Sequence, residues 1–276
     1  MRTLRVGDVQ VATYVTDPPL DIRLAPRPYL HPVRTLGGTV VTDAFCADHP
    51  WHLGASLAVS DVNGHNLWGG RTFVRDQGYV WLDDHGRIRH EAWLPDDPPA
   101  GSPSGFTELL SWCDGDGKEL LREHRAITAT PAPRGWELAF SYALTTPRQT
   151  VVALGSPATH GRTGGAGYGG FFWRCPPGRA AAFSAASDDP HGSAEPWVAM
   201  TVDDAYTLVF RGLAGDDRWF VRTGEYAGVC AALAFDHPLV IPADATITRD
   251  IRVLVADGVL TRDQIEAERG GAEPPG

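Results

Sequence analysis

Polar and apolar positions alternate along most of this chain. Residues 4–15, 54–62, 86–94, 197–202, 205–211 and 246–255 each read with a period of two, as strands with one buried face do. The clearest stretch is 112–146. There Asp114-Gly115-Asp116-Gly117 reads as a hairpin turn, 119–130 alternates as a strand, and Pro131-Ala132-Pro133-Arg134-Gly135 turns the chain again. The return strand, 136–145, puts Trp136, Leu138, Phe140 and Tyr142 on one face. Only 261–269 has helical character, with Thr261 as its cap and Gln264 completing a capping box. The pattern predicts an all-β chain: one large antiparallel β-sandwich domain over 1–270, a short C-terminal helix, and a flexible tail at 271–276.

Composition supports the strands. Thirty-one glycines and 22 prolines are spread along the sequence, which long helices tolerate poorly and turns between short strands require. With 24 Lys+Arg against 34 Asp+Glu the formal charge is −10. Nucleic acid and anionic membranes need basic patches, so neither is expected as a partner. No apolar run approaches the ~20 residues of a membrane span, and the alternating N-terminus lacks a signal-peptide core. Cys46, Cys113, Cys175 and Cys230 lie far apart with no CxxC pair, which fits reduced thiols in a cytoplasmic protein.

Two stretches break the alternation, 26–54 and 156–170, both rich in Gly, Pro and His. Structureless loops this long inside a compact domain are usually functional. The first contains Arg27-Pro28-Tyr29-Leu30-His31-Pro32-Val33 and Asp48-His49-Pro50-Trp51-His52-Leu53-Gly54. Pro50 turns the chain so that the rings of His49 and His52 can converge, and Asp48 can orient one of them. The second contains His160, Arg162, five glycines within residues 164–170, and Tyr168, and leads into the aromatic run Phe171-Phe172-Trp173-Arg174. It lacks the Gly-Lys-Ser/Thr ending of a phosphate loop; its glycines suit close backbone approach to a ligand. Elsewhere, Asp61-Val62-Asn63-Gly64 is a turn followed by Trp68, a candidate sugar platform. His90-Glu91 closes a strand, where only one of the two can face a pocket floor. His85 and His191 sit in turn-like contexts that suit solvent exposure.

The segments Arg27-Pro28-Tyr29, Asp48-His49-Pro50-Trp51-His52-Leu53-Gly54, Asp61-Val62-Asn63-Gly64 and Gly169-Gly170-Phe171 resemble, in that order, motifs of the bacterial "methane oxygenase PmoA-like" family. That family usually reads Asp-His-Pro-His-His-Arg-Gly at the second motif. Here Trp51 and Leu53 depart from it, so only His49 and His52 carry over. The resemblance implies a β-sandwich similar to galactose mutarotase, in a bacterial setting alongside sugar catabolism.

Three functional readings follow. The first is a carbohydrate-active enzyme that moves protons on a sugar, keto-sugar or glycoside, as an epimerase, mutarotase or β-eliminating lyase does. His49 and His52 would be the acid and base, with His160 and Glu91 as partners. Arg27, Arg162, Arg174 and Tyr168 would hold the substrate, and Trp51 or Trp68 would stack on its ring. This reading requires no cofactor, takes a small-molecule sugar or glycoside as partner, and is compatible with a homo-oligomer. The second is a metal-dependent lyase or oxygenase, with His31, His49 and His52 holding a divalent metal. The third is a noncatalytic sugar-binding module. The sharpest expectation is that His49, His52, His160 and Arg174 line one shared pocket.

Overall fold

Strands that alternate must pair, and here they pair into two large antiparallel sheets. The computed structural model describes residues 1–95 and 104–270, so the tail expected at 271–276 lies outside the described residues. The first sheet runs, in spatial order, Arg2–Val6, Val9–Val15, Tyr29–Val33, Ala55–Ala58, Gly170–Arg174, Gly228–Ala232 and Arg218–Arg222. The second runs Ala180–Ser184, Trp197–Val202, Tyr206–Arg211, Thr246–Asp257, Gly135–Thr145, Glu119–Ala132, Ser104–Cys113 and Arg87–Trp93. Their inner faces share one apolar core, with Phe140 against Phe171 at 4.7 Å between ring centroids and Trp173 against Phe210 at 5.8 Å. The chain is an all-β antiparallel sandwich with a short C-terminal helix, Arg262–Gly270. The expected capping box forms: Gln264 Oε1 accepts from the Thr261 backbone N–H, and Thr261 Oγ1 accepts from that of Gln264.

Three local expectations change. Residues 4–15 are two strands of a hairpin, because Gly7 turns the chain at φ +56° and alternation simply resumes beyond it. The irregular stretch 26–54 contains the inner strand Tyr29–Val33. Pro131 and Ala132 stay in their strand, so the turn before the return strand narrows to Pro133-Arg134.

The core is not purely apolar. On the strand Glu119–Ala132, Glu123 and Arg125 occupy inward positions between Leu121 and Ile127. Arg125 donates to Glu123 at 2.6 and 2.8 Å and to Tyr14 Oη at 2.7 Å, and Glu108 accepts from Tyr14 and from His90 Nδ1. Buried charges persist where they are paired and hydrogen-bonded, as these are.

Period two also fixes what the first sheet shows outward. In Gly170–Arg174, Phe171 and Trp173 enter the shared core, so Phe172 and Arg174 face the other way. Phe220, Cys230, Ala58 and Ala232 join Phe172 in a second apolar cluster on that outer face. The two irregular stretches fold across it.

Candidate functional site

The loop carrying the histidines is pinned at its base. Asp43 N–H donates to the Arg174 carbonyl and Arg174 N–H to the Gly54 carbonyl, both at 2.9 Å, so the loop 43–54 rides on the outward-facing strand. Gly54 has φ +49°, and a Cβ there would stand 2.1 Å from the Leu30 carbonyl oxygen, so only glycine fits. Above it the chain turns tightly, with His52 N–H donating to the His49 carbonyl at 2.9 Å. The two imidazoles consequently stack, 4.6 Å apart and 13° from parallel.

Arg174 organises both rings from beneath. Its guanidinium donates to both Asp48 carboxylate oxygens, at 3.1 and 3.0 Å, and to His52 Nδ1 at 3.3 Å. Its cation lies 4.4 Å from the centre of the Tyr226 ring. Asp48 accepts in turn from His49 Nδ1 at 2.7 Å. Partial burial pushes the Asp48 carboxyl up, but the hydrogen bonds from His49 and Arg174 outweigh it and hold its pKa at about 2. An ionised carboxylate only accepts, so the neutral His49 ring carries its proton on Nδ1 and a lone pair on Nε2. A guanidinium only donates, so His52 is the other tautomer, with its proton on Nε2. Burial first, then the neighbouring His49, Arg174 and Arg27, push the His52 pKa well below its ordinary value. One base and one neutral donor thus stand side by side.

These rings open into a cavity of about 440 Å³, within the range of small-molecule sites. Trp68 forms its floor, 5.7 Å from His52 and 4.7 Å from Tyr168. Trp51 lies along one side, seated on Gly69 and Gly70; a Cβ on Gly70 would come within 2.5 Å of its ring. On another wall Tyr168 Oη meets Tyr79 Oη at 2.9 Å, and Arg162 donates to Tyr79 Oη at 2.5 Å. Tyr79 comes from the small hairpin Thr72–Val74 and Gly78–Val80. Arg71, Trp81, Arg222, Glu225 and Tyr226 also line the cavity. A second cavity of about 370 Å³ adjoins this one and shares Trp68, Gly69, Arg71 and Tyr168 with it. It holds His160, whose Nε2 pairs with Asp61 Oδ2 at 2.7 Å.

A family model covers residues 2–269, nearly the whole chain. The chain belongs to the family of unknown function DUF6807. No curated protein matches it. Among solved structures it is similar to the α-galactosidase from Lactobacillus brevis, at 9% identity and a TM-score of 0.41, over 83% of this chain and 35% of that one. It is also similar to the galactosidase domain of the α-galactosidase-sucrose kinase AgaSK, at 6% identity and a TM-score of 0.39, over 80% and 32%. A third is the heparan sulfate lyase HepC from Pedobacter heparinus, at 10% identity and a TM-score of 0.30, over 63% and 22%. The chain spans about a third of those proteins or less, and nothing about its own ligand follows from them.

The structure gathers most of the expected residues and removes others. His49, His52, Trp51, Trp68, Arg162 and Tyr168 share the first cavity, so both irregular stretches do meet there. The four residues expected to line one pocket do not: His49 and His52 line the first cavity, His160 lies in the adjoining one, and Arg174 sits behind the histidines rather than facing either. Glu91 is not at the site: it is exposed on the second sheet and paired with Arg89 at 2.8 Å. Arg27 is not a substrate clamp. Fully buried, it donates to Ser56 Oγ and to the carbonyls of Ala25, Trp51 and Trp68, tying the site's loops together. His31 is bound to Thr42 Oγ1 at 3.0 Å, and among the described residues no three His, Cys, Asp or Glu gather as metal ligands. The proposed His31–His49–His52 metal triad therefore does not form. His85 is not solvent-facing either, being buried against the Gly70 carbonyl, and His191 is half-buried and accepts from Val221 N–H. Tyr79, Tyr226, Arg71 and Arg222 were not read from the sequence. They lie in short strands and loops without a motif; the only available hint was the Arg-Trp-Phe-Val-Arg alternation at 218–222.

All four cysteines are free and buried. No helix among the described residues is long and apolar enough to cross a membrane.

Proposed function

We propose that this protein is an enzyme that transfers protons on a saccharide, in the manner of an epimerase or a β-eliminating lyase. The observation that carries the reading is the stacked His49–His52 pair, opened onto an aromatic-walled cavity and set in opposite tautomers by Asp48 and Arg174. His49 Nε2 takes a proton from carbon, with Asp48 stabilising the imidazolium that forms. His52 Nε2–H donates to a substrate oxygen. On a different wall, the Tyr79 phenol supplies a proton to the departing or re-protonated position, and Arg162 stabilises the charge it leaves. Trp68 and Trp51 offer apolar faces to a pyranose ring, and the surrounding polar groups meet its hydroxyls.

The reading is tested by incubating the protein with hexoses, uronates, 3-keto-sugars and their methyl glycosides and following products by NMR. Turnover of at least one sugar, lost by about 100-fold or more in His49→Ala and in Tyr79→Phe with an unchanged circular dichroism spectrum, is the expected outcome. Full turnover in His49→Ala would remove the assignment.

A further inference from the structure

Three guanidiniums line the first cavity without a carboxylate to neutralise them. Half of the arginines with described side chains lie within ion-pair distance of a carboxylate; Arg71, Arg162 and Arg222 belong to the other half, and what sets them apart is that all three line this one cavity. Two of them are fixed in place by groups that leave their charge intact. Arg162 stacks 4.8 Å from the centre of the Tyr79 ring and donates to its hydroxyl. Arg222 stacks 4.1 Å from that of Phe220 and donates to the carbonyls of Val221 and Gly165. Arg71 is exposed at the rim, 6.0 Å from the Trp81 ring. The carboxylates at this cavity do not cancel them. Asp48 is taken up by Arg174 and His49, and Glu225 is a single exposed charge.

We propose that the cavity takes a saccharide bearing an anionic group, a uronate carboxylate or a sugar sulfate, held by Arg71, Arg162 and Arg222. Guanidinium forks match such oxygens, and an arginine immobilised on an aromatic face loses little freedom on binding them. The overall charge of −10 repels anions at long range, so a cationic mouth on this chain is a local selection for one. The inference deepens the proton-transfer reading and rests on it. Taking a proton from sugar carbon requires an adjacent electron-withdrawing group, which a carboxylate neutralised by arginine supplies directly; a sulfate would anchor a sugar whose carbonyl supplies it.

Titration calorimetry of the full chain with methyl β-D-glucuronide, glucose 6-sulfate and methyl β-D-glucoside tests it. At least one anionic sugar should bind about tenfold or more tightly than the neutral glucoside, weakening as salt is raised. Whichever anion wins identifies the group. Arg71→Gln is the cleanest variant, since that side chain is exposed; it and Arg222→Gln should each cost about tenfold in anion affinity and markedly less in glucoside affinity. Equal affinity for all three sugars, no detectable binding of either anion, or variants that bind the anion as wild type does would overturn it. Proton exchange into a neutral sugar combined with equal affinities would sink this inference alone. Anion binding without exchange on any sugar would sink only the catalytic reading.

Discussion

His52 carries a pH signature that can be read without knowing the substrate. Burial keeps it neutral in the folded protein well below its ordinary pKa of about 6.5, whereas the unfolded chain takes up its proton near that value. Its contribution to stability is therefore complete above about pH 6.5 and is lost as the pH falls below it toward the folded pKa. The melting temperature should drop between about pH 7 and pH 5, and His52→Gln should shrink that drop. It will not abolish it, because burial depresses His31 and His191 in the same direction. An unchanged pH slope in His52→Gln would contradict the assignment. Gly70 offers a second test. At φ +75°, with the Trp51 ring where its Cβ would be, Gly70→Ala should cost about 1–3 kcal/mol in urea unfolding and loosen Trp51. Wild-type stability and Trp fluorescence would show that the ring is not seated there. At this scale the sequence was legible where chemistry sat in a motif, as with Asp48, His49 and His52. It was not legible for Arg27, because a buried arginine bonded to carbonyls and a substrate-binding arginine are the same letter.

The strand Gly170–Arg174 is the element on which the site depends, since its outward residues carry both the apolar floor and Arg174. Removing Arg174 leaves His52 Nδ1 and Asp48 without their shared donor. Arg174→Ala should cost about 2–3 kcal/mol in chemical denaturation, and Arg174→Lys should recover little, since an ammonium cannot span both acceptors as the fork does. Full recovery by lysine would show that only charge matters. The aromatic run into this strand and the two glycine- and histidine-rich stretches were visible in the sequence. The hairpin at Gly7 was masked because alternation continues through a two-residue turn. The inward Glu123 and Arg125 were equally hidden: period two assigns a residue to a face but does not say which face is wet, and here the charges take the dry one.

At the scale of the molecule, the apolar core runs across both large sheets without a break, and the candidate site stands on the outer face of one of them. Scanning calorimetry should accordingly show one cooperative transition; two separately melting units would count against one sandwich domain. The sandwich could be anticipated from strand period and turn density. Which outer face bears the site could not, because that depends on how 43–54, 72–80 and 156–170 converge across more than a hundred residues of sequence. The proposed chemistry is removal of a proton from sugar carbon by His49 and its neighbours. Its most direct test is incubation with the glucuronide and the 3-keto-sugars in deuterium oxide, following the C–H signals by proton NMR. The wild-type protein should replace one C–H adjacent to the carboxylate or carbonyl with deuterium, and His49→Ala should not. Retention of every C–H signal with the wild-type protein, on sugars it demonstrably binds, would contradict the account.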